Sequence, residues 1–300
     1  ELGSSEKEQV QGYKVTVSVD GLAGGHSGTE IDKGRANAVK VMSRALTVLG
    51  YDVDYSLIDI NGGLKDNAIP RSCDATLVIY EEERVLFDEA INKICADLKD
   101  ELGTSEPGFK FTWKIEEAPA VYTAMRKLTA RKILFVLELA PNGVQAMSAD
   151  IPGIVESSLN LGILECKEDE LRIVWSTRSS TSSYKYYLND KLQDLIAFFG
   201  GEPSVTGDYP AWPYKRGSRL QDKAKEVYKE MYGSDPVITC VHAGLECGLL
   251  SEKMPDLDII SIGPDMPDIH TPQERMNIAS ADRVYDYLVK LLENMKFGES

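Results

Sequence analysis

The sequence predicts a mixed fold of the α+β and α/β classes: two successive ferredoxin-like modules, then a shorter α/β segment. Three observations carry this. Residues 12–116 read strand-helix-strand-strand-helix-strand. Residues 117–210 return to that order in outline, offset by roughly 95–100 residues. Residues 211–300 alternate helices with short apolar strands.

Residues 1–11 are polar and charged and are expected to form a frayed leader. Tyr13, Val15, Val17 and Val19 alternate with polar residues, which predicts a strand over 12–20, and the glycine-rich run Gly21 to Gly28 predicts a turn. Ala38, Val41, Met42, Ala45, Leu46 and Leu49 recur every three or four residues, so a helix is expected from Gly34 to Leu49 with Gly50 as its stop. Strands follow near 52–61 and 73–80. Leu86, Phe87, Ala90, Ile91, Ile94 and Leu98 then mark a second amphipathic helix, and a strand from Phe109 to Ile115 closes the module. Cys95 lies on that apolar stripe and reads as a core residue.

The second module opens with a helix over 129–140 and continues with strands near 155–164 and 170–178. A helix carrying Tyr187, Leu188, Leu192, Leu195, Ile196 and Phe199 stops at Gly200-Gly201, and a short strand near 203–208 is expected to end the module. Pro210-Ala211-Trp212-Pro213 marks a boundary. Beyond it, Ser218-Arg219-Leu220-Gln221 has the spacing of a capping box opening a helix to Tyr232. Val237–Val241 and Leu257–Ile262 read as buried strands, and Ser280–Met295 as a final helix. At about 85 residues this last segment is short for a complete sheet domain.

The 300 residues carry 33 basic and 48 acidic side chains, a net charge of −15. Such a surface repels phosphate backbones and anionic lipid, which argues against nucleic-acid or membrane partners. The sequence has no run of roughly 18 apolar residues that would cross a bilayer, and no signal peptide is expected from it. Five scattered cysteines without a C-x-x-C pair suggest reduced thiols and a cytoplasmic location.

The chain has three histidines, and each lies among glycines or prolines beside a predicted strand, where sites concentrate. His26 sits in Gly24-Gly25-His26-Ser27-Gly28, whose glycines would let an imidazole stand beyond the sheet edge and stabilise an oxyanion; a tight turn with an exposed histidine reads equally from the residues. His270 lies in the loop Gly263-Pro264-Asp265-Met266-Pro267-Asp268-Ile269-His270-Thr271-Pro272-Gln273-Glu274, at the carboxyl end of a predicted strand. That is where open α/β sheets place ligands, and a neutral imidazole there suits zinc. His242 begins His242-Ala243-Gly244-Leu245-Glu246-Cys247-Gly248. Cys247 near His242 admits a thiol-protease reading, but nothing nearby supplies a third, orienting group. Arg178 ends a strand, and its planar fork suits a carboxylate as well as a surface ion pair.

These motifs together resemble a known family. Gly24-Gly25-His26-Ser27-Gly28, Gly34-Arg35-Ala36-Asn37-Ala38 and Asn67-Ala68-Ile69-Pro70 are similar to the lid of the zinc aminoacylase/carboxypeptidase/carnosinase metallopeptidases. The heptapeptide at 242–248, with Gly263-Pro264 and His270-Thr271-Pro272-Gln273-Glu274, resembles the aminoacyl-histidine dipeptidase (peptidase D type) group within them. The resemblance spans residues 12–296, and 242–248 is its most specific element.

The resemblance implies a duplicated ferredoxin-like lid (dimerisation) domain in residues 12–116 and 117–210, and the C-terminal part of an α/β zinc-peptidase catalytic domain in residues 211–300. It implies hydrolysis of dipeptides, Xaa-His or carnosine-like, by two zinc ions that activate a water. His26 matches the lid histidine that stabilises the tetrahedral intermediate, often from a partner subunit. His270 matches the last metal ligand, and Asn67, Asn160, Arg178, His242, Gly244 and Glu246 match or neighbour substrate-binding positions. A homodimer through the lid is implied as well. The family's other ligands include an His-x-Asp motif that precedes the lid, and no His-x-Asp occurs here. The expectation is therefore a chain lacking the N-terminal part of the catalytic domain and inactive alone. Two further classes stand beside the enzyme: a non-enzymatic lid-type dimerisation or peptide-binding module, and an unrelated enzyme using His242 and Cys247.

Overall fold

The computed structural model describes residues 2–3, 7–167, 170–239, 246–267 and 273–295. They divide into two compact units, one up to Asp208 and one from Tyr209 onward.

The first unit is built on one large sheet. Its elements in chain order are β1 (Leu2–Gly3), β2 (Lys7–Asp20), β3 (Gly25–His26), α1 (Ala38–Asp52), β4 (Tyr55–Gly62), β5 (Ala68–Ile69), β6 (Cys73–Ile79), α2 (Arg84–Leu102), β7 (Lys110–Ile115), β8 (Ala120–Met125), α3 (Lys127–Leu139), β9 (Gly143–Met147), β10 (Val155–Cys166), β11 (Glu170–Ser179) and α4 (Ser182–Phe198). The main sheet runs β1-β11-β10-β4-β6-β2-β7, with β8 on β2 and β9 on β10; β3 and β5 form a separate two-stranded ribbon.

Within that path β4-β6-β2-β7 is the split βαββαβ arrangement expected of the first module. Alternation explains it. Val15, Val17 and Val19 of β2 and Ala75, Leu77 and Ile79 of β6 all turn to one face and are buried there. They meet Met42, Leu46 and Leu49 of α1 and Phe87, Ile91 and Ile94 of α2 in a single core. Ile133 and Leu137 of α3 and Leu161 and Leu164 of β10 join the same core, so the two halves share one interior.

The halves touch through a helix pair and a strand pair. α1 and α3 pack together, and β4 and β10 pair antiparallel at Gly62 and Leu164. α1 and α3 are the first helices of their halves, a like-with-like contact of the kind a two-fold relation produces, whereas β4 follows α1 directly and β10 follows α3 only after β9. Lys40 on α1 seals the joint: its Nζ donates to the carbonyls of Leu137, of Glu138 at 2.9 Å and of Ala140 at 3.1 Å, at the carboxyl end of α3.

Several boundaries differ from the sequence expectation. The described part of the polar leader is strand: Leu2–Gly3 pairs with Leu171 and Glu170, and Lys7–Gly12 pairs with Met125–Ala120. Ladder bonds are made by backbone, which polar side chains neither help nor reveal. α1 starts at Ala38 because Asn37 caps it, its side chain accepting from Val39 N at 3.0 Å, and it runs through Gly50 to Asp52. No strand forms over 203–208, where the residues are exposed and have no ladder partner among the described residues. The second half therefore lacks the closing strand of a ferredoxin-like module.

The second unit contains α5 (Arg219–Tyr232), α6 (Glu246–Lys253) and α7 (Ile278–Asn294). Ser218 caps α5, its Oγ accepting from Gln221 N at 2.9 Å. Ala224 and Val227 pack against Tyr287 and Leu291, and Tyr287 donates to Ala224 O at 2.7 Å. The expected strands at 237–241 and 257–262 are not formed among the described residues, and Val237 is 91% exposed. A strand exists only with a neighbour to bond to, and neither segment has one among the described residues. α7 also exposes Tyr285, Leu288, Val289 and Leu292, leaving a second apolar face beside the buried one.

Candidate functional site

The site is assembled around the short ribbon in which β3 pairs with β5, Gly25 opposite Ile69 and His26 opposite Ala68. Ser27 N donates to Asn67 O at 2.9 Å and extends that link by one residue. The loop carrying His26 is anchored at both ends by Glu106, a buried carboxylate that the sequence reading did not single out. Its oxygens accept from Ala23 N at 2.7 Å and from Ala36 N at 2.8 Å.

His26 is half-buried, and its ring has a defined proton. Nδ1 lies 3.1 Å from Gly28 N and 3.2 Å from Thr29 N, both of which donate to it. A nitrogen that accepts from two amides carries no hydrogen, so the neutral ring holds its proton on Nε2. Burial, and then the positive charge of Arg178, push the imidazole below its usual pKa; Glu30 opposes them weakly. The residue is thus a neutral N–H donor around pH 7, the state suited to bonding a developing oxyanion.

Arg178 arrives from the second half. On β10 and β11, Ser158 faces Arg178 and Asn160 faces Ser176, so Asn160 and Arg178 share one face of the sheet. Asn160 is buried, and its Nδ2 donates to the carbonyls of Asp66 and Ala68, both at 2.9 Å. Its Oδ1 is buried without a hydrogen bond. Arg178 is half-buried; burial lowers its pKa and the charge of Asp66 partly restores it. Gly162 makes the approach of the two halves possible here. It stands at a register shift in β10, and a Cβ on it would lie 2.6 Å from the Asp66 Cα and carbonyl.

Four of the residues proposed from sequence therefore gather in one unit. His26, Asn67 and Asn160 are joined through the backbone of 66–68, with Asn67 itself exposed, and Arg178 bears on His26 and Asp66 through its charge. Glu246 begins α6 in the other unit and is exposed. His242, Gly244 and His270 lie outside the described residues. Among the described residues no three His, Cys, Asp or Glu side chains converge to hold a metal ion. Cys73, Cys95, Cys166 and Cys247 are free thiols. No helix among the described residues is long and apolar enough to cross a membrane.

Comparison with known proteins bears on this arrangement. Residues 17–106 match a peptidase dimerisation domain. Over 283 residues, 94% of this chain, the sequence is 32% identical to the cytosol non-specific dipeptidase of Escherichia coli strain K12, of which it covers 58%. The crystal structure of aminoacylhistidine dipeptidase from Vibrio alginolyticus superposes with a TM-score of 0.88 at 29% identity, covering 99% of this chain and 63% of that one. The chain spans about three fifths of the length of the relatives it matches.

Proposed function

Given a chain that resembles dipeptidases in sequence and in fold over nearly its whole length, we propose that the protein carrying it hydrolyses dipeptides. The observation that carries this reading is a neutral His26 that feels the charge of Arg178, on a ribbon whose backbone at 66–68 also bonds Asn160. A dipeptide needs two kinds of recognition: a cation for its terminal carboxylate and a donor for the carbonyl oxygen that becomes negative during attack. Arg178 supplies the first and the His26 Nε2–H the second. Asn67 lies at the end of the ribbon, bonded through its carbonyl to Ser27 N, and contributes a side-chain amide to the bound peptide.

Finer assignments belong to the same proposal. The substrate is of the Xaa-His type, carnosine-like, as the resemblance at 242–248 implies, with His242, Gly244 and Glu246 at its other end. Zinc is the metal, with His270 as one ligand and the rest from the part of the relatives that this chain does not span; when bound it supplies an activated water. The unit from Tyr209 onward contributes to the catalytic α/β domain, a role that suits the two apolar faces of α7. The match to a dimerisation domain supports a homodimer, and the edge of β4 is already partly taken by β10 of the same chain. The relative's cytosolic name and the free thiols support a cytoplasmic location.

The test is hydrolysis of carnosine and other Xaa-His dipeptides by the protein carrying this chain, with zinc present. Activity is expected, with His26→Ala lowering kcat by roughly 10²–10³-fold, the usual loss for one oxyanion donor. Arg178→Met is expected to raise KM. Dipeptide binding without turnover under any divalent metal would sink the enzyme reading and leave a lid-type peptide-binding module.

A further inference from the structure

We infer that Glu30 and Arg35 form a closed clasp that positions His26 for the reaction proposed above; the inference rests on that reading for its kinetic arm only. The clasp is closed by three contacts. His26 N donates to Glu30 Oε2 at 2.9 Å. Arg35 Nη2 pairs with Glu30 Oε1 at 2.9 Å, and Arg35 Nη1 donates to the Gly24 carbonyl. Gly24 C=O and His26 N–H are the two backbone groups on either side of Gly25, so the side-chain pair bridges across that one residue.

Gly25 is the softest point of the loop. Its φ is 138°, a conformation L side chains rarely adopt, and an added Cβ would stand 2.2 Å from Arg35 Nη1 and 2.8 Å from Glu30 Oε2. Glycine is therefore required twice, for the backbone angle and for the room the clasp occupies. It also leaves the imidazole dependent on a residue with little conformational preference of its own, and the Glu30–Arg35 pair removes that freedom. Both members are partly shielded, with side-chain exposures of 35% and 26%, so the pair is less open to water than a surface bridge. On the other side of the ring, Gly28 N and Thr29 N orient Nδ1. The clasp holds the main chain, the two amides hold the ring, and together they fix where the Nε2–H stands.

Glu30 and Arg35 are thus positioning residues, acting through His26. The chemistry is sensitive to such placement, since a shift of about 1 Å in a reacting group costs on the order of 10²-fold in rate.

The experiment uses Arg35→Met, Arg35→Lys and Glu30→Gln in the protein carrying this chain, with imidazole ¹⁵N labelling and with kcat and KM for an Xaa-His dipeptide. In the parent protein His26 is expected to show one neutral tautomer with the proton on Nε2. In Arg35→Met and Glu30→Gln its signals are expected to broaden or average between tautomers, and kcat to fall about tenfold or more with KM within twofold. Arg35→Lys, which reaches one partner of the two, is expected to fall between. Thermal melts identify any variant that fails to fold, and the other variants then carry the test. Unchanged His26 signals in folded Arg35→Met and Glu30→Gln would overturn the clasp, even if the protein proves an active dipeptidase. An altered tautomer in a protein that hydrolyses no dipeptide would sustain the clasp and sink the function.

Discussion

The Asn160 Nδ2 donates to the carbonyl of Ala68 at 2.9 Å, and Ala68 is the cross-strand partner of His26. One buried side chain from the second half thus supports the ribbon that carries the imidazole of the first. Asn160→Ala removes this bond and the matching one to Asp66 O. The expected loss is about 1–3 kcal/mol, since two carbonyls lose their donor while part of the segment remains open to water. Urea unfolding measures it, and a change below about 0.5 kcal/mol, the scatter for ordinary surface substitutions, would count against the link.

His26 has a folded pKa below its ordinary value, caused first by burial and second by Arg178. The sign follows from which state binds the proton. Above the unfolded pKa of about 6.5 both states are neutral and the full contribution to stability is present. As pH falls below that value the unfolded chain takes up the proton first, and the contribution is lost through the folded pKa. Titration by NMR is expected to place His26 below 6.5, and Arg178→Met is expected to raise it. A His26 pKa unmoved by that substitution would show that the charge of Arg178 does not reach the ring.

Glu106 anchors both ends of the loop through Ala23 N and Ala36 N. Glu106→Ala leaves two amides without their charged acceptor, and a loss on the order of 3 kcal/mol is expected. Amide hydrogen exchange is the sharper readout: residues 23–36 are expected to lose protection while β6 and α2 keep theirs. Uniform loss across the unit would mean that Glu106 serves the whole fold.

Gly162 lies against the backbone of Lys65 and Asp66, where a Cβ would come within 2.6 Å. Backbone cannot swing aside as a flexible side chain does, so Gly162→Ala is expected to cost about 1–3 kcal/mol through displaced chain. Because the displaced segment is 65–68, weaker dipeptide binding is expected at temperatures where the variant remains folded. A variant with parent stability and parent KM would contradict the close approach.

The zinc proposal is tested at His270. His270→Ala is expected to lower the zinc bound per chain and to abolish dipeptide hydrolysis, read by metal analysis and by carnosine turnover. Equal zinc content and equal turnover in the variant would remove His270 from the ligand set.

The first module was legible in the sequence because its signals are local. The alternation of Val15, Val17 and Val19 and the stripe Met42, Ala45, Leu46 and Leu49 each define a buried face within one element, and all are buried as expected. β8 and the start of β2 were not legible. Lys7–Gln11 is mostly polar and Ala120–Met125 does not alternate, and their order comes from backbone bonds between Lys7–Gly12 and Ala120–Met125, more than a hundred residues apart. Glu106 was missed for the same reason. It sits in the polar turn after a charged helix like any solvated acid, and only the folded loop brings two amides to it.

The sequence by itself determined the periodic elements, the mixed fold class and the glycine-flanked loop that carries His26, since hydrophobic spacing and glycine content are properties of neighbouring residues. Tertiary structure alone decided that Arg178 and Asn160 stand with His26, that the Nδ1 of that ring accepts and its Nε2 donates, and that β10 joins β4 at the shared edge. Those outcomes depend on contacts between segments far apart along the chain. Such contacts are set by register and by the summed fit of the core, and no local pattern of residues encodes them.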